Sequence, residues 1–297
     1  MLFKRSELLS GHSAAVYGIS AGSKPETILS ASGDRFVVEW DIQMAQQNAL
    51  AVKFEQPVFS SIYIEGENLL AAGTATGAIH IIDLNEKKEI HHLAVHSKGV
   101  YDFHYRKEDK QLIALGGDGL LTIWFVPSFK LLRKIPLSSE KLRQIAVSKE
   151  HGLIAIACGD GTLRLLEPNF FSEIRSINAH KQGATSVAWH PFKPVLLSGG
   201  RDAMIQCWNI NEQYQNVLSI PAHNYAIYSI AFDDSEEYMA TCSRDKTIKI
   251  WDAHSLDNLQ RIDVKQGGHT HSVNKVLWLD KTLASCGDDR KIILWRQ

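Results

Sequence analysis

The segment Ile248-Lys-Ile-Trp251-Asp252 recurs along this chain at nearly constant spacing, and that recurrence limits the fold more than any other property. The same slot holds Val37-Val-Glu-Trp40-Asp41, Thr122-Ile-Trp124, Ile205-Gln-Cys-Trp208-Asn209 and Ile292-Ile-Leu-Trp295. Two eroded copies, Ile79-His-Ile-Ile82-Asp83 and Leu163-Arg-Leu-Leu166-Glu167, fill the gaps. The reference positions are 40, 82, 124, 166, 208, 251 and 295, so the steps are 42, 42, 42, 42, 43 and 44. Seven copies at one spacing mark a repeat architecture, in which each unit buries its apolar surface only against its neighbours.

A second landmark stands six residues before each reference position. It is Asp34, Asp118, Asp160, Asp202, Asp245 and Asp289, with Thr76 the departure in the second copy. A histidine stands earlier: His12, His96, His180 and His223 precede their aspartates by 22 residues, and His269 by 20. Phe54 and Ser138 hold that slot in copies two and four. Between landmarks the chain runs in short alternating segments rich in β-branched residues and cut by turn residues. No stretch carries a 3.6-residue apolar stripe, so every copy reads as strands. In the sixth copy the strands are expected at residues 227–232, 238–243, 247–252 and 259–264.

Composition bounds the function classes. Lys plus Arg is 32 and Asp plus Glu 33 in 297 residues. That balance argues against sequence-independent nucleic-acid binding, which needs a cationic excess. The N-terminus runs straight into charge, so no signal peptide is expected. The longest stretch without Asp, Glu, Lys or Arg, residues 213–232, carries Pro221 and His223 and does not read as a membrane span. Cys158, Cys207, Cys242 and Cys286 form no C-x-x-C pair and read as reduced thiols of a cytoplasmic protein.

Gly-His, then Ser-x-x-x-Asp, then Trp-Asp at this step resembles the WD-repeat family over all 297 residues. The resemblance implies an all-β, seven-bladed β-propeller of four-stranded antiparallel blades around a central channel. The blades fall roughly at residues 10–52, 53–94, 95–136, 137–178, 179–221, 222–266, and 267–297 plus 1–9. The N-terminal strand is expected to join the C-terminal blade, which leaves no unpaired edge inside the ring. The family's polar network carries over onto His12, Ser30, Asp34 and Trp40; His180, Ser198, Asp202 and Trp208; His223, Thr241, Asp245 and Trp251; and His269, Ser285, Asp289 and Trp295. Blade three keeps His96, Asp118 and Trp124 but has Ala114 at the hydroxyl slot. Blade two has none of the network and blade four only Asp160, so these two are expected to be the softer sector of the ring.

Ser, His and Asp repeated at one period are structural, because a catalytic triad is a single constellation beside an oxyanion hole. Gly116-Gly117-Asp118-Gly119 and Gly199-Gly200 read as tight turns rather than phosphate loops. His269-x-His271 lacks further ligands nearby, and His91-His92 reads as a solvated pair on an outer strand. No catalytic residue, cofactor or metal is therefore expected. By resemblance, a partner docks on the Gly-His face. Five residues after the histidine slot stand Tyr17, Phe59, Tyr101, Arg143, Thr185, Tyr228 and Asn274. Lys141 stands three after it, and Arg201, Arg244 and Asp288 stand just before the Asp slot. The aromatics Tyr17, Phe59, Tyr101 and Tyr228 would ring the channel mouth opposite Lys141, Arg143, Arg201 and Arg244. Tyr and Arg dominate interface hot spots, and a basic arc suits an acidic or phosphorylated peptide. Phe129, Phe170 and Phe171 form a second candidate patch on the opposite face. The expectation is a monomeric, non-catalytic protein-interaction scaffold. The alternatives are a propeller that binds a small ligand or does chemistry in its channel, and a purely architectural subunit. The first of these needs a polar cluster unique to one blade and facing the channel, and none is legible.

Overall fold

The second strand of each copy is small or apolar on both faces. Thr27–Ser32, Leu69–Thr74, Leu153–Cys158 and Thr282–Gly287 are buried at every residue. A strand buried on both faces must lie in a sheet sandwiched between other sheets. The computed structural model describes residues 2–297. It shows seven four-stranded antiparallel sheets, each standing between two neighbours. The innermost strands are Val16–Ala21, Val58–Ile64, Val100–Arg106, Leu142–Ser148, Ala184–Trp189, Ile227–Phe232 and Val273–Leu279. Each packs against the next, and the last packs against the first, so the ring is closed.

An apolar cluster fills each of the seven seams between sheets. Outer strands such as Lys130–Pro136 are mostly exposed. Closure comes from Lys4–Leu9, which pairs antiparallel with Ile292–Arg296 as the fourth strand of the last blade. Phe3, 2% exposed, anchors this strand with ring centroids 5.3 Å from Tyr238 and 5.4 Å from Trp278. The Gln260 side chain of blade six bonds both Phe3 N (2.7 Å) and Phe3 O (2.8 Å).

In the sixth blade the first two strands fall as the alternation suggests, the third begins one residue later at Ile248, and the last spans Asn258–Ile262. A 3-10 turn, Val264–Gln266, follows it because Asp263 accepts from Lys265 N while the Gln266 side chain accepts from Asp263 N.

Candidate functional site

Every innermost strand skips one residue of its pairing register at the same place. The skipped residues are Tyr17, Phe59, Tyr101, Arg143, Thr185, Tyr228 and Asn274. A β-bulge leaves such a residue unpaired and re-aims its side chain. All seven line one cavity of about 330 Å³ at the channel mouth, joined by Gln144, Lys275 and Asp288. The five-residue spacing from the histidine slot is therefore the spacing to the bulge.

The aromatic arc is continuous over blades one to three. Tyr17 meets Phe59 edge-on at 5.0 Å, and Phe59 lies 5.3 Å from Tyr101. Offset and edge-on pairs of this kind contribute about 0.5–1.5 kcal/mol beyond area burial. Small neighbours make room for the rings. A Cβ on Gly99 would sit 2.6 Å from the Phe59 ring, and one on Gly117 2.8 Å from the Tyr101 ring.

The Arg143 guanidinium lies 4.8 Å over the Tyr101 ring and Lys141 Nζ 5.5 Å over it, so cations and aromatics share one arc rather than facing each other. Burial holds the Arg143 pKa below its ordinary value, and the nearby Arg201 charge pushes the same way, while Tyr101 and Tyr228 oppose. Asp288 is engaged with Asn274 Nδ2 (2.8 Å). Among the described residues no ion pair joins Lys141, Arg143, Arg201 or Arg244 to a carboxylate, the channel's own pair being Lys275 with Asp102. Thr185 belongs to the wall: its hydroxyl donates to Gly199 O (3.0 Å) and lies within bonding distance of Ile227 O. Arg201 and Arg244 are exposed at the rim. Arg244 lies 5.9 Å over Tyr225, a ring 59% exposed that the register of the repeat did not single out.

Polar groups do line the channel, but they come from several blades rather than from one. Lys275 of blade seven reaches across to Asp102 of blade three at 3.6 Å. Asp102 also accepts from Ile145 N (3.0 Å), and Gln144 accepts from Val187 N (3.2 Å). Together these contacts link blades three, four, five and seven. Only ring closure brings Lys275 to Asp102, so residue spacing could not reveal the pair.

Beneath the mouth lies the repeated network. In blade one, His12 Nδ1 donates to Asp34 (2.8 Å), Nε2 accepts from Ser30 (2.7 Å), and Trp40 Nε1 donates to the same hydroxyl (2.7 Å). The relay recurs through His180, Ser198, Asp202 and Trp208; through His223, Thr241, Asp245 and Trp251; and through His269, Ser285, Asp289 and Trp295. Burial alone would raise the Asp245 pKa, but bonds from His223, Asn224 N and Thr247 hold it well below the carboxylate range. Burial pulls His96, His180 and His223 below the ordinary imidazole value.

Two expectations about this network are corrected. Blade three does have its hydroxyl: His96 Nε2 and Trp124 Nε1 both bond Thr122 Oγ1 at 3.0 Å. Thr122 is the cross-strand partner of Ala114, so the group has moved one strand over. Blade four keeps more than Asp160, since Ser138 in the histidine slot donates to it at 2.7 Å.

The phenylalanine patch is also corrected. Phe129 and Phe171 are 4% and 3% exposed, and only Phe170, at 67%, faces solvent. His91 and His92 point to opposite faces of the outer strand, His91 half-buried and His92 exposed. His91 packs 4.9 Å from Phe129, and His92 turns to the other face of the sheet, 4.7 Å from His80. The four cysteines are buried and unpaired.

No helix among the described residues is long and apolar enough to cross a membrane. The family model described as "WD domain, G-beta repeat" matches residues 3–41, 171–209, 214–252 and 262–296. The chain is similar to the probable cytosolic iron-sulfur protein assembly protein 1 of Eremothecium gossypii, 28% identical over 44% of this chain and 42% of the relative. It is also similar to human WD repeat-containing protein 55, 22% identical over 90% of this chain and 71% of the relative. The mouse WD repeat and FYVE domain-containing protein 1 is 22% identical over 82% and 61%. The chain thus spans less than half the length of the iron-sulfur assembly relative. Matched repeats over half the chain, seven closed four-stranded blades and five complete His–Asp–hydroxyl–Trp relays place this chain in the WD-repeat family of β-propellers.

Proposed function

We propose that this chain is a non-catalytic interaction scaffold that binds an acidic or phosphorylated peptide or loop of another protein at the channel mouth. The observation that carries this reading is the convergence of the seven bulge residues on one cavity. A repeat would leave equivalent positions alike, yet here they are four aromatics, Arg143, Thr185 and Asn274. Lys141, Arg201 and Arg244 stand around them, without carboxylate partners among the described residues. Tyr17, Phe59, Tyr101 and Tyr228 supply contact area, and the cations supply charge-assisted bonds to carboxylate or phosphate. A small-ligand reading of the channel has less support, because Asp102 and Lys275 already neutralise each other. The closed ring needs no second copy to cover an edge, which supports a monomer. A cytosolic setting is inferred from the relatives named as cytosolic iron-sulfur assembly proteins.

Tyr17, Arg201 and Arg244 are exposed, so replacing all three by alanine leaves the core intact. Wild type and the triple variant, shown to unfold at the same temperature, are compared for proteins captured from native lysate. Loss of a specific partner from the variant is the expected result. An identical capture list would overturn the assignment to this face.

A further inference from the structure

We propose that the outer wall between the first and second blades carries a site for a divalent cation of the zinc class, formed by His80, Glu89 and His92. The strands Ala78–Asp83 and Lys88–Ala94 pair antiparallel, with His80 opposite His92 and Ile82 opposite Glu89. A register shift between these pairs brings the carboxylate onto the face of the two imidazoles. One ligand atom from each residue lies within 4.8 Å of the other two. His80 Nδ1 is 3.0 Å and His92 Nδ1 3.7 Å from Glu89 Oε1. Bonds of about 2.0–2.1 Å in a tetrahedral zinc site put ligand atoms about 3.3 Å apart, so only small side-chain adjustments separate this cluster from coordination.

The cluster is not part of the repeat. Positions equivalent to His80 hold Val38, Thr122, Arg164, Gln206, Lys249 and Ile293. Blade four uses the same pair of positions for an ordinary ion pair, Arg164 with Glu173 at 3.1 Å. Blade two instead sets two imidazoles about one carboxylate. It is also one of the two blades without the His–Asp relay, and Phe54, which fills the vacated histidine slot, packs edge-on to His80 at 5.3 Å. An apolar shell of this kind limits solvent access to one side of a metal.

Two imidazole nitrogens and one carboxylate oxygen suit zinc, copper(II) or nickel(II) rather than calcium or magnesium. Three protein ligands leave a fourth position. The three residues line a groove of about 1110 Å³ that Lys53, Lys87 and Lys88 also border. Glu39 and Glu55 border the same groove, so its charges are mixed and the fourth position is open to water or to a ligand from solution.

The test uses the full chain stripped of metal by chelator and titrated with Zn²⁺ in a calorimeter, with Co²⁺ absorption reporting a tetrahedral site. One equivalent is expected, with a rise in unfolding temperature. His92→Ala and Glu89→Gln, both at exposed positions, should each weaken binding by at least about tenfold. His91→Ala, facing away, should leave it unchanged. Absence of stoichiometric binding by wild type overturns the proposal. So does binding that survives both substitutions, which would place the metal elsewhere, for instance at His271.

Discussion

Thr122→Val removes one hydroxyl that serves two buried partners, and the structure sets how much that should cost. His96 Nε2 and Trp124 Nε1 both bond Thr122 Oγ1 at 3.0 Å, and Thr122 itself is fully buried. Valine keeps the shape, so the loss is confined to a buried acceptor and a buried donor without partners. At roughly 1–3 kcal/mol each, the substitution should destabilise by about 2–6 kcal/mol. For a protein of this size that is on the order of 3–10 °C in unfolding temperature. Ala114→Ser should restore part of it, because Ala114 lies directly across from Thr122, where blades one, five, six and seven carry Ser30, Ser198, Thr241 and Ser285. Urea denaturation of wild type, both single variants and the double variant closes the cycle. Ala114→Ser should be close to neutral in the wild type and recover at least about 1 kcal/mol in the Thr122→Val background. A Thr122→Val protein within about 0.5 kcal/mol of wild type would refute the reasoning, as would a double variant no more stable than Thr122→Val.

The network also sets the response to acid. Burial disfavours the charged form of His96, His180 and His223, so below about pH 6.5 the unfolded chain takes up protons that the folded chain refuses. Asp34, Asp118, Asp245 and Asp289 sit below their ordinary values, so their contribution, present above about pH 4, is lost as pH falls further. The urea midpoint should hold from pH 8 to 7, decline below 6.5 and fall faster below 4; a midpoint constant down to pH 5 contradicts this. Phe3→Ala should cost about 3–5 kcal/mol, because the ring closes the last seam; a loss under 1 kcal/mol would mean the N-terminal strand contributes little. Burial pushes the Cys158 and Cys207 thiols up to about 12, and Cys242 and Cys286 are raised as well. A thiol reagent should therefore find no reactive cysteine in the native protein and four after denaturation.

The ring itself was legible because the constraint repeats. Each aspartate, histidine and tryptophan sits at a fixed distance along the chain, and a period survives the loss of single members. Departures were legible only within a single aligned position. Ala114 looked like a missing hydroxyl because Thr122 compensates from the neighbouring strand, a relation defined by pairing rather than spacing. Lys275 and Asp102 meet only after the ring has closed. Phe129 and Phe171 stand at positive φ (49° and 59°), a backbone state that accompanies their folding under the strands. His80, Glu89 and His92 were scattered across an eroded copy, and a register shift that leaves no mark in residue type gathers them. The mouth residues, by contrast, were found by spacing alone, because the bulge falls at the same place in all seven blades.

The central claim is that the mouth selects acidic or phosphorylated segments, and peptide selection tests it most directly. Immobilised wild-type protein is panned against a random peptide library that includes phosphorylated members, and the affinity of the enriched peptides is then measured against Arg143→Ala and Arg201→Ala. The expected sequences are rich in Asp, Glu or phosphoresidues, and their binding falls at least about tenfold in each variant, which corresponds to about 1.4 kcal/mol. Enrichment of basic or purely apolar peptides, or of acidic ones that bind both variants as well as wild type, would contradict it.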